Sequence, residues 1–190
     1  FVYNAAQCVN FPERDKVGED LTEINWRIEQ LIKNCGVPIK YDGRDHSYYS
    51  IETDSIHLPR LDHFHSINDY YATFLHELAH STAHENRLNR DVRNLSEEDR
   101  MAEELRAELA SMFMQREFGL ALDGFHLEKH AFYIKGWLDN AGIIDRKQEF
   151  IYAVNEAEKI TDYVVENLLQ ADSVWSAERK NSRENMIVSK

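Results

Sequence analysis

Cysteine is scarce in this sequence, since Cys8 and Cys35 are the only two among 190 residues. They do not form a C-x-x-C pair. One disulfide between them is possible, but their spacing does not indicate it. We therefore expect two reduced thiols, as is usual for a cytoplasmic protein.

An excess of positive charge is also absent. The chain carries 22 Lys and Arg against 34 Asp and Glu, a formal net charge of −12. Nucleic-acid affinity depends mainly on Lys and Arg that neutralise phosphates. We therefore expect no direct nucleic-acid binding, although Arg87, Arg90 and Arg93 form a local basic cluster.

Long apolar runs and flexible linkers are missing as well. No run of 18 apolar residues occurs, so no membrane span is predicted. Without an internal repeat or a Gly/Ser/Pro-rich linker, we predict one domain over residues 1–172 and a polar, loosely ordered tail over 173–190. The start, Phe1-Val2-Tyr3-Asn4, has neither an initiator methionine nor signal-peptide features, which suggests a piece of something longer.

The apolar periodicity predicts an α+β fold, with a small antiparallel sheet packed on a mainly helical body. Ser66 and Ser96 each precede an aspartate at capping-box spacing and are predicted to begin helices. The predicted strands form an antiparallel meander over 37–41, 47–50 and 55–58. The predicted helices cover 21–34, 66–84, 97–118, 126–140 and 145–171.

The run His76-Glu77-Leu78-Ala79-His80 matches the pattern H-E-x-x-H. On a helix, residues four apart lie on one face, so His76 and His80 can bind one metal ion together. Glu77 can then act as general base toward a water molecule at that ion. The motif predicts a hydrolase that uses one Zn²⁺, or another divalent metal in its place.

A catalytic zinc ion usually has three protein ligands, so a third is needed. The next predicted helix offers Glu103, Glu104 and Glu108 among small apolar residues. A carboxylate at such a helix contact is costly to bury unless a cation compensates it. We predict Glu104 as the ligand and Glu108 as acceptor for a histidine N–H. Glu103 is the alternative ligand, but its helical phase predicts that it points further towards solvent.

Other candidates have weaker support from their spacing. A metzincin would need a histidine at position 86, where Asn86 stands, so His84 is predicted to lie beside the ligands or on the surface. His130 and Tyr133 share one face of a predicted helix and could donate to a developing oxyanion. A core tyrosine with a satisfied hydroxyl is the alternative for Tyr133.

Two other interpretations compete with a hydrolase. H-E-x-x-H also arises by chance, which would leave a solvated acidic helix with incidental histidines. A metal-stabilised binding module without hydrolysis is the second, but an intact Glu77 favours an enzyme because a structural site needs no general base. For a peptide substrate, we expect β-pairing with an edge strand that ends Ile56-His57-Leu58.

Several segments together resemble the zincin-like metallopeptidase domain of ArdC-type antirestriction proteins, which occur on plasmids and in phage polyvalent proteins. The segments are Tyr48-Tyr49-Ser50, Asp54-Ser55-Ile56-His57-Leu58-Pro59, Tyr70 to His84, Arg87-Leu88-Asn89-Arg90-Asp91, Ala102 to Leu109, and His130-Ala131-Phe132-Tyr133-Ile134. The chain departs from the family at Ser81-Thr82-Ala83, where Trp-Thr-Gly is usual.

The resemblance implies a gluzincin-type fold with zinc bound by His76, His80 and a glutamate of the next helix, and with Glu77 as catalytic base. It implies a protein or peptide substrate, with a host defence protein as one candidate. It also implies that single-stranded DNA is bound by an N-terminal domain that is absent from this chain.

Overall fold

The computed structural model describes residues 25–120 and 146–168, together with Glu128, His130, Ala131 and residues 134–136. Its fold is α+β, as predicted. The strands are β1 (Ile39–Lys40), β2 (Tyr48–Ser50) and β3 (Ser55–His57), and a short 3-10 turn follows at Leu61–His63. The helices are α1 (Trp26–Asn34), α2 (Ile67–Ser81), α3 (Glu97–Glu117) and α4 (Arg146–Tyr163), which continues as a π-helical turn at Val164–Leu168.

Some predictions fall outside these ranges. Cys8, Tyr133, the domain limit at residue 172 and the tail over 173–190 all lie outside the described residues. Within the helix predicted over 126–140, every described residue is helical. Among the described helices, none has the length and apolar character that a membrane crossing requires.

The core forms around α2, which packs against both the sheet and α3. Tyr71, Phe74, Leu75 and Leu78 of α2 are fully buried. Helix α3 also packs on α4. The fully buried residues of these two helices include Ala107, Ala110, Met114, Ala153, Ala157 and Ile160. Among the described residues, the motif helix therefore lies between the sheet and α3.

The three-stranded sheet is mixed, so the predicted antiparallel meander is wrong for β1. The strand order is β1-β3-β2, with β2 antiparallel and β1 parallel to β3. Ile56 N donates to Pro38 O, and Leu58 N donates to Lys40 O, both at 2.9 Å. The segment between β1 and β2 is too long for a two-residue hairpin, so it does not force those strands to pair. In this order β3, which carries the buried Ile56, is the central strand, and β2 is an edge strand. The strand that ends Ile56-His57-Leu58 is therefore not the edge strand that was expected from the sequence.

Serine caps begin both helices that carry the motif residues, as predicted. Ser66 Oγ accepts from Asp69 N, and Ser96 Oγ accepts from Asp99 N, both at 3.1 Å. Helix α2 ends at Ser81, earlier than predicted, so His84 lies in the turn that follows.

Removing the cap of the motif helix tests how much it stabilises the fold. Ser66→Ala leaves Asp69 N without its side-chain acceptor, so we expect the free energy of unfolding to fall by about 1 kcal/mol. Urea unfolding followed by circular dichroism measures the change. Ser66→Asp keeps an accepting oxygen and should retain most of the stability; an equal loss in both variants would argue against the cap.

Candidate metal centre

Helices α2 and α3 bring the three predicted ligands together. His76 and His80 lie one turn apart on α2, and their Nε2 atoms are 3.2 Å apart. Glu104 Oε2 of α3 lies 3.5 Å from His76 Nε2 and 3.6 Å from His80 Nε2. These are the described side chains whose donor atoms converge closely enough to share one metal ion.

The spacing of these three atoms fits a divalent ion. Tetrahedral zinc with bonds of about 2.0–2.1 Å separates neighbouring ligand atoms by roughly 3.3 Å. The observed separations, 3.2 to 3.6 Å, lie close to that value. The Glu104 side chain is 37% exposed, so the site is open on one side, as a catalytic rather than a structural site requires.

Each histidine also has a carboxylate beside its other ring nitrogen. Glu108 Oε2 lies 3.1 Å from His76 Nδ1, the place predicted for an acceptor. His80 Nδ1 donates to Glu103 Oε1 at 3.4 Å. The His80 ring is thereby oriented with Nε2 directed at the ligand cluster, the arrangement that carboxylate partners give to zinc-bound histidines. His76 Nδ1 lies at ion-pair distance from Glu108 but forms no hydrogen bond of good geometry with it.

The expectation that Glu103 points towards solvent is wrong, because only 6% of the residue is exposed. The segment between α2 and α3 folds over this face of α3, and its Arg90 forms an ion pair with Glu103. Helical phase alone could not show that cover. Glu103 is therefore placed beside His80 Nδ1 rather than at the convergence of Nε2 atoms where Glu104 lies.

The charges of the site stabilise one another. Burial alone would lower the pKa of His76, but the carboxylates of Glu104 and Glu108 outweigh it and raise that pKa to about 9. Burial would raise the pKa of Glu104, yet His80 and His76 hold it far below its usual range. A metal ion that binds here would therefore compete with protons for the histidine nitrogens.

The pKa of Glu77 is raised, whereas that of Glu104 is lowered. It is 4% exposed, and burial is the main cause that raises its pKa, against the nearby histidines that lower it. It lines a cleft of about 250 Å³ together with His80 and Glu104. The other lining residues are Tyr48, Tyr49, Ile51, Val92, Asn94, Leu95, Arg100 and Glu103. The general-base candidate therefore opens onto the same space as two of the three candidate ligands.

His130 lies on the far side of Glu108 from the ligands. Its Nδ1 donates to Glu108 Oε1 at 2.5 Å, and its Nε2 lies 3.4 Å from Gln115 Nε2. It is 4% exposed and is not among the residues that line the cleft. This placement does not match the expected donation to an oxyanion, because the imidazole donates to the buried Glu108 carboxylate instead.

His84 is separated from the candidate ligands. Its Nε2 lies 3.8 Å from Asp54 Oδ2, and its Nδ1 accepts from Asn86 N at 3.2 Å. The turn that ends α2 directs this histidine towards the β2–β3 turn, so its structural partner is Asp54.

Sequence reasoning missed a network centred on Arg87. Its Nε donates to Ser81 O at 2.6 Å, and its guanidinium also binds Asp54 and the hydroxyl of Tyr49. The network joins the end of α2 to β2, whose Tyr49 lines the cleft. Arg87 was noted in the sequence as part of a basic cluster and of a segment that resembles the family, but was given no role. The signal that could have indicated one is its position directly after the motif helix.

The Arg87 network predicts a pH-dependent contribution to stability. Partial burial alone would raise the pKa of Asp54, but hydrogen bonds from Arg87 and Tyr49 outweigh it and lower that pKa. A lowered carboxyl pKa stabilises the fold above the unfolded-state pKa of about 3.9, and this is lost as pH falls through the folded-state value. We expect Asp54→Asn to lower the free energy of unfolding at neutral pH, and its difference from wild type to shrink in acid.

Urea unfolding across the acid range measures that difference. Asp45→Asn is the control, because the Asp45 side chain is 91% exposed and should show little effect at any pH. A difference for Asp54→Asn that stays constant from neutral to acid pH would contradict the ion pair.

Comparison with known proteins shows a matching protein family and two relatives of similar sequence. Residues 26–155 match the family model described as zincin-like metallopeptidase. Two Escherichia coli proteins named DNA primase TraC are 36% and 38% identical over 165 residues, or 86% of this chain. The chain spans only 15% and 11% of the length of these relatives.

Solved structures of the antirestriction protein ArdC from plasmid R388 share the fold. The Mn(II)-bound structure has a TM-score of 0.64 and 30% identity, and covers 88% of this chain and 61% of that one. The metal-free structure has a TM-score of 0.60 and 30% identity, with 87% and 59% covered. The similarity therefore includes a relative that binds a divalent metal.

Proposed function

The chain belongs to the zincin-like metallopeptidase family, and from this premise we propose that it is a zinc-dependent peptidase domain that hydrolyses peptide bonds. One observation carries the proposal: the buried Glu77 opens onto the same cleft as His80 and Glu104. A site that only held a metal for stability would have no use for such a base.

The donor set supports zinc as the ion. Two imidazole nitrogens and one carboxylate oxygen form a known set for catalytic zinc, and the sequence places no cysteine among them. When bound, the ion would polarise a carbonyl and make a water molecule acidic enough to attack at neutral pH. Other divalent ions suit the same atoms, as the Mn(II)-bound ArdC structure illustrates.

Glu77 would act as the proton carrier. Its burial raises its pKa, which brings a carboxylate closer to the range useful for accepting a proton and returning it to a leaving amine. His80, hydrogen-bonded at Nδ1 to Glu103, and His76, whose Nδ1 lies beside Glu108, would keep Nε2 directed at the ion.

The cleft suits an extended peptide. Strand β2 is an edge of the sheet, and its Tyr48 and Tyr49 line the cleft beside Glu77. An extended substrate could add to this edge by main-chain hydrogen bonds. The edge in question is β2, rather than the strand containing Ile56 that the sequence suggested, because β3 is central.

The substrate class we propose is a protein or peptide, and the antirestriction neighbour makes a host defence protein the first candidate. Direct nucleic-acid binding is left out of the proposal, because a formal charge of −12 disfavours phosphate contacts. Binding of single-stranded DNA, which the resemblance to ArdC-type proteins implies for an N-terminal domain, is not part of the role proposed for these residues.

Metal removal tests the proposal. The chelated protein should cleave an unfolded substrate such as casein no faster than buffer, and one equivalent of zinc should restore cleavage, scored by mass spectrometry of new termini. Zinc at about 1,000 times its Kd should also raise the free energy of unfolding by about 4 kcal/mol. Tight zinc binding without cleavage of casein or of candidate host proteins would instead support a metal-stabilised binding module.

A further inference from the structure

We propose that Arg90 is a positioning residue of the metal site, which acts through Glu103 to fix the ring of His80. The inference rests on the proposed metal site but does not depend on peptide hydrolysis. Arg90 lies in the irregular segment between α2 and α3, and neither the ligand spacing nor the family resemblance assigned it a role.

Arg90 makes three contacts at once. One guanidinium nitrogen, Nη1, pairs with Glu103 Oε2. The other, Nη2, donates to Ala79 O and to Thr82 Oγ1, each at 3.1 Å. The side chain is only 13% exposed, so these bonds form largely out of water, where charge-assisted bonds are strong.

Glu103 requires a cation of this kind. Its side chain is 8% exposed, and it belongs to the same helix as the carboxylates of Glu104 and Glu108. An ionised carboxylate buried next to others is costly unless it is paired. Arg106 is 3.9 Å away but binds Glu149 at 2.9 Å, so Arg90 is the closer partner.

The consequence for His80 follows from where the two oxygens of Glu103 point. Oε2 is held by Arg90, which leaves Oε1 directed at His80 Nδ1, 3.4 Å away. That bond keeps the proton on Nδ1 and Nε2 free to bind metal. Arg90 also holds the carbonyl of Ala79, the residue before His80, so it fixes both the backbone and the ring partner of one ligand.

Arg87 offers a matched control from the same segment. It too is mostly buried, and it too donates to a carbonyl in the last turn of α2, that of Ser81. Its carboxylate partner, however, is Asp54, which contacts none of the three candidate ligands in the described residues. Replacing either arginine removes a similar set of structural bonds, but only Arg90 connects to a metal-binding histidine.

The test measures zinc affinity by competition with a chromophoric chelator in Arg90→Gln, Glu103→Gln, the double variant and Arg87→Gln. Loss of an outer partner typically weakens metal binding about 10–100-fold, and we expect roughly 10-fold for Arg90→Gln. The double variant should bind no more weakly than Glu103→Gln alone, because Arg90 acts through Glu103. Arg87→Gln should stay close to wild type. Additive losses, wild-type affinity in Arg90→Gln, or an equal loss in Arg87→Gln would overturn the proposal.

A spectroscopic measurement separates positioning from general stability. In the zinc-loaded protein, the His80 Nδ1–H resonance should move upfield in Arg90→Gln and stay in place in Arg87→Gln. If Arg90→Gln does not fold, Arg90→Lys is the alternative variant, because it keeps the charge but lacks the planar guanidinium that binds several acceptors at once. An upfield shift of the His80 Nδ1–H resonance and weaker zinc binding are again expected. A lysine variant identical to wild type in both measurements would refute the proposal. A protein that binds zinc this way but cleaves nothing would refute only the peptidase.

Discussion

Replacing Glu77 with glutamine is expected to slow peptide cleavage about 10²–10⁴-fold, the usual contribution of a general base, and to leave zinc binding close to wild type. Glutamine keeps the shape of the side chain but cannot carry the proton. Because burial raises the Glu77 pKa, ionised Glu77 weakens the fold at neutral pH. The neutral variant should therefore unfold at no lower urea concentration than wild type.

Glu85→Gln is the control for this variant. Glu85 is exposed in the turn after α2 and does not line the cleft, so its replacement should change neither cleavage nor zinc binding. Initial cleavage rates at equal zinc occupancy measure the effect. Cleavage at the wild-type rate by Glu77→Gln would contradict the role of Glu77 as base.

Removing the third ligand has the second large effect. Glu104→Ala is expected to weaken zinc binding more than about 100-fold, beyond the range for loss of an outer partner. Two histidines 3.2 Å apart at Nε2 remain, but they provide only two of the three protein ligands that a catalytic zinc needs. Cleavage should then disappear at zinc concentrations that saturate the wild type.

Glu103→Ala provides the matched comparison, since the two residues are neighbours on α3. Glu103 lies beside His80 Nδ1, so its loss should cost only about 10–100-fold in zinc affinity. Competition titrations of both variants measure the difference. A greater loss in Glu103→Ala than in Glu104→Ala would mean that the assignments of the two carboxylates are reversed.

Local sequence signals were sufficient for the starts of α2 and α3 and for the set of residues that converge at the site. The helix predicted over 21–34 instead begins at Trp26, because Asn25 caps it with a non-helical backbone. The i, i+4 spacing placed His76 and His80 on one face, and a carboxylate among small residues pointed to Glu104. Serine caps marked where α2 and α3 begin. The caps and the histidine pair depend on residues a few positions apart.

What the sequence did not predict depends on distant parts of the chain. The buried Glu103 is paired with Arg90, which reaches it from the irregular segment before α3. The parallel pairing of β1 with β3 joins Ile39 to Ile56, and no local turn signal encodes it. His130 was expected at the reaction centre because helical periodicity shows which residues share a face. Periodicity does not show that the imidazole of His130 would instead hydrogen-bond to the carboxylate of Glu108.

The most direct test of the metal site is anomalous diffraction from crystals of the zinc-loaded protein at the zinc edge. The predicted result is one strong peak at about 2.0–2.2 Å from His76 Nε2, His80 Nε2 and a carboxylate oxygen of Glu104. Glu103 and Glu108 should remain beside the two Nδ1 atoms. A peak bound by Glu103 or Glu108 in place of Glu104, or no peak at the two histidines, would contradict the site.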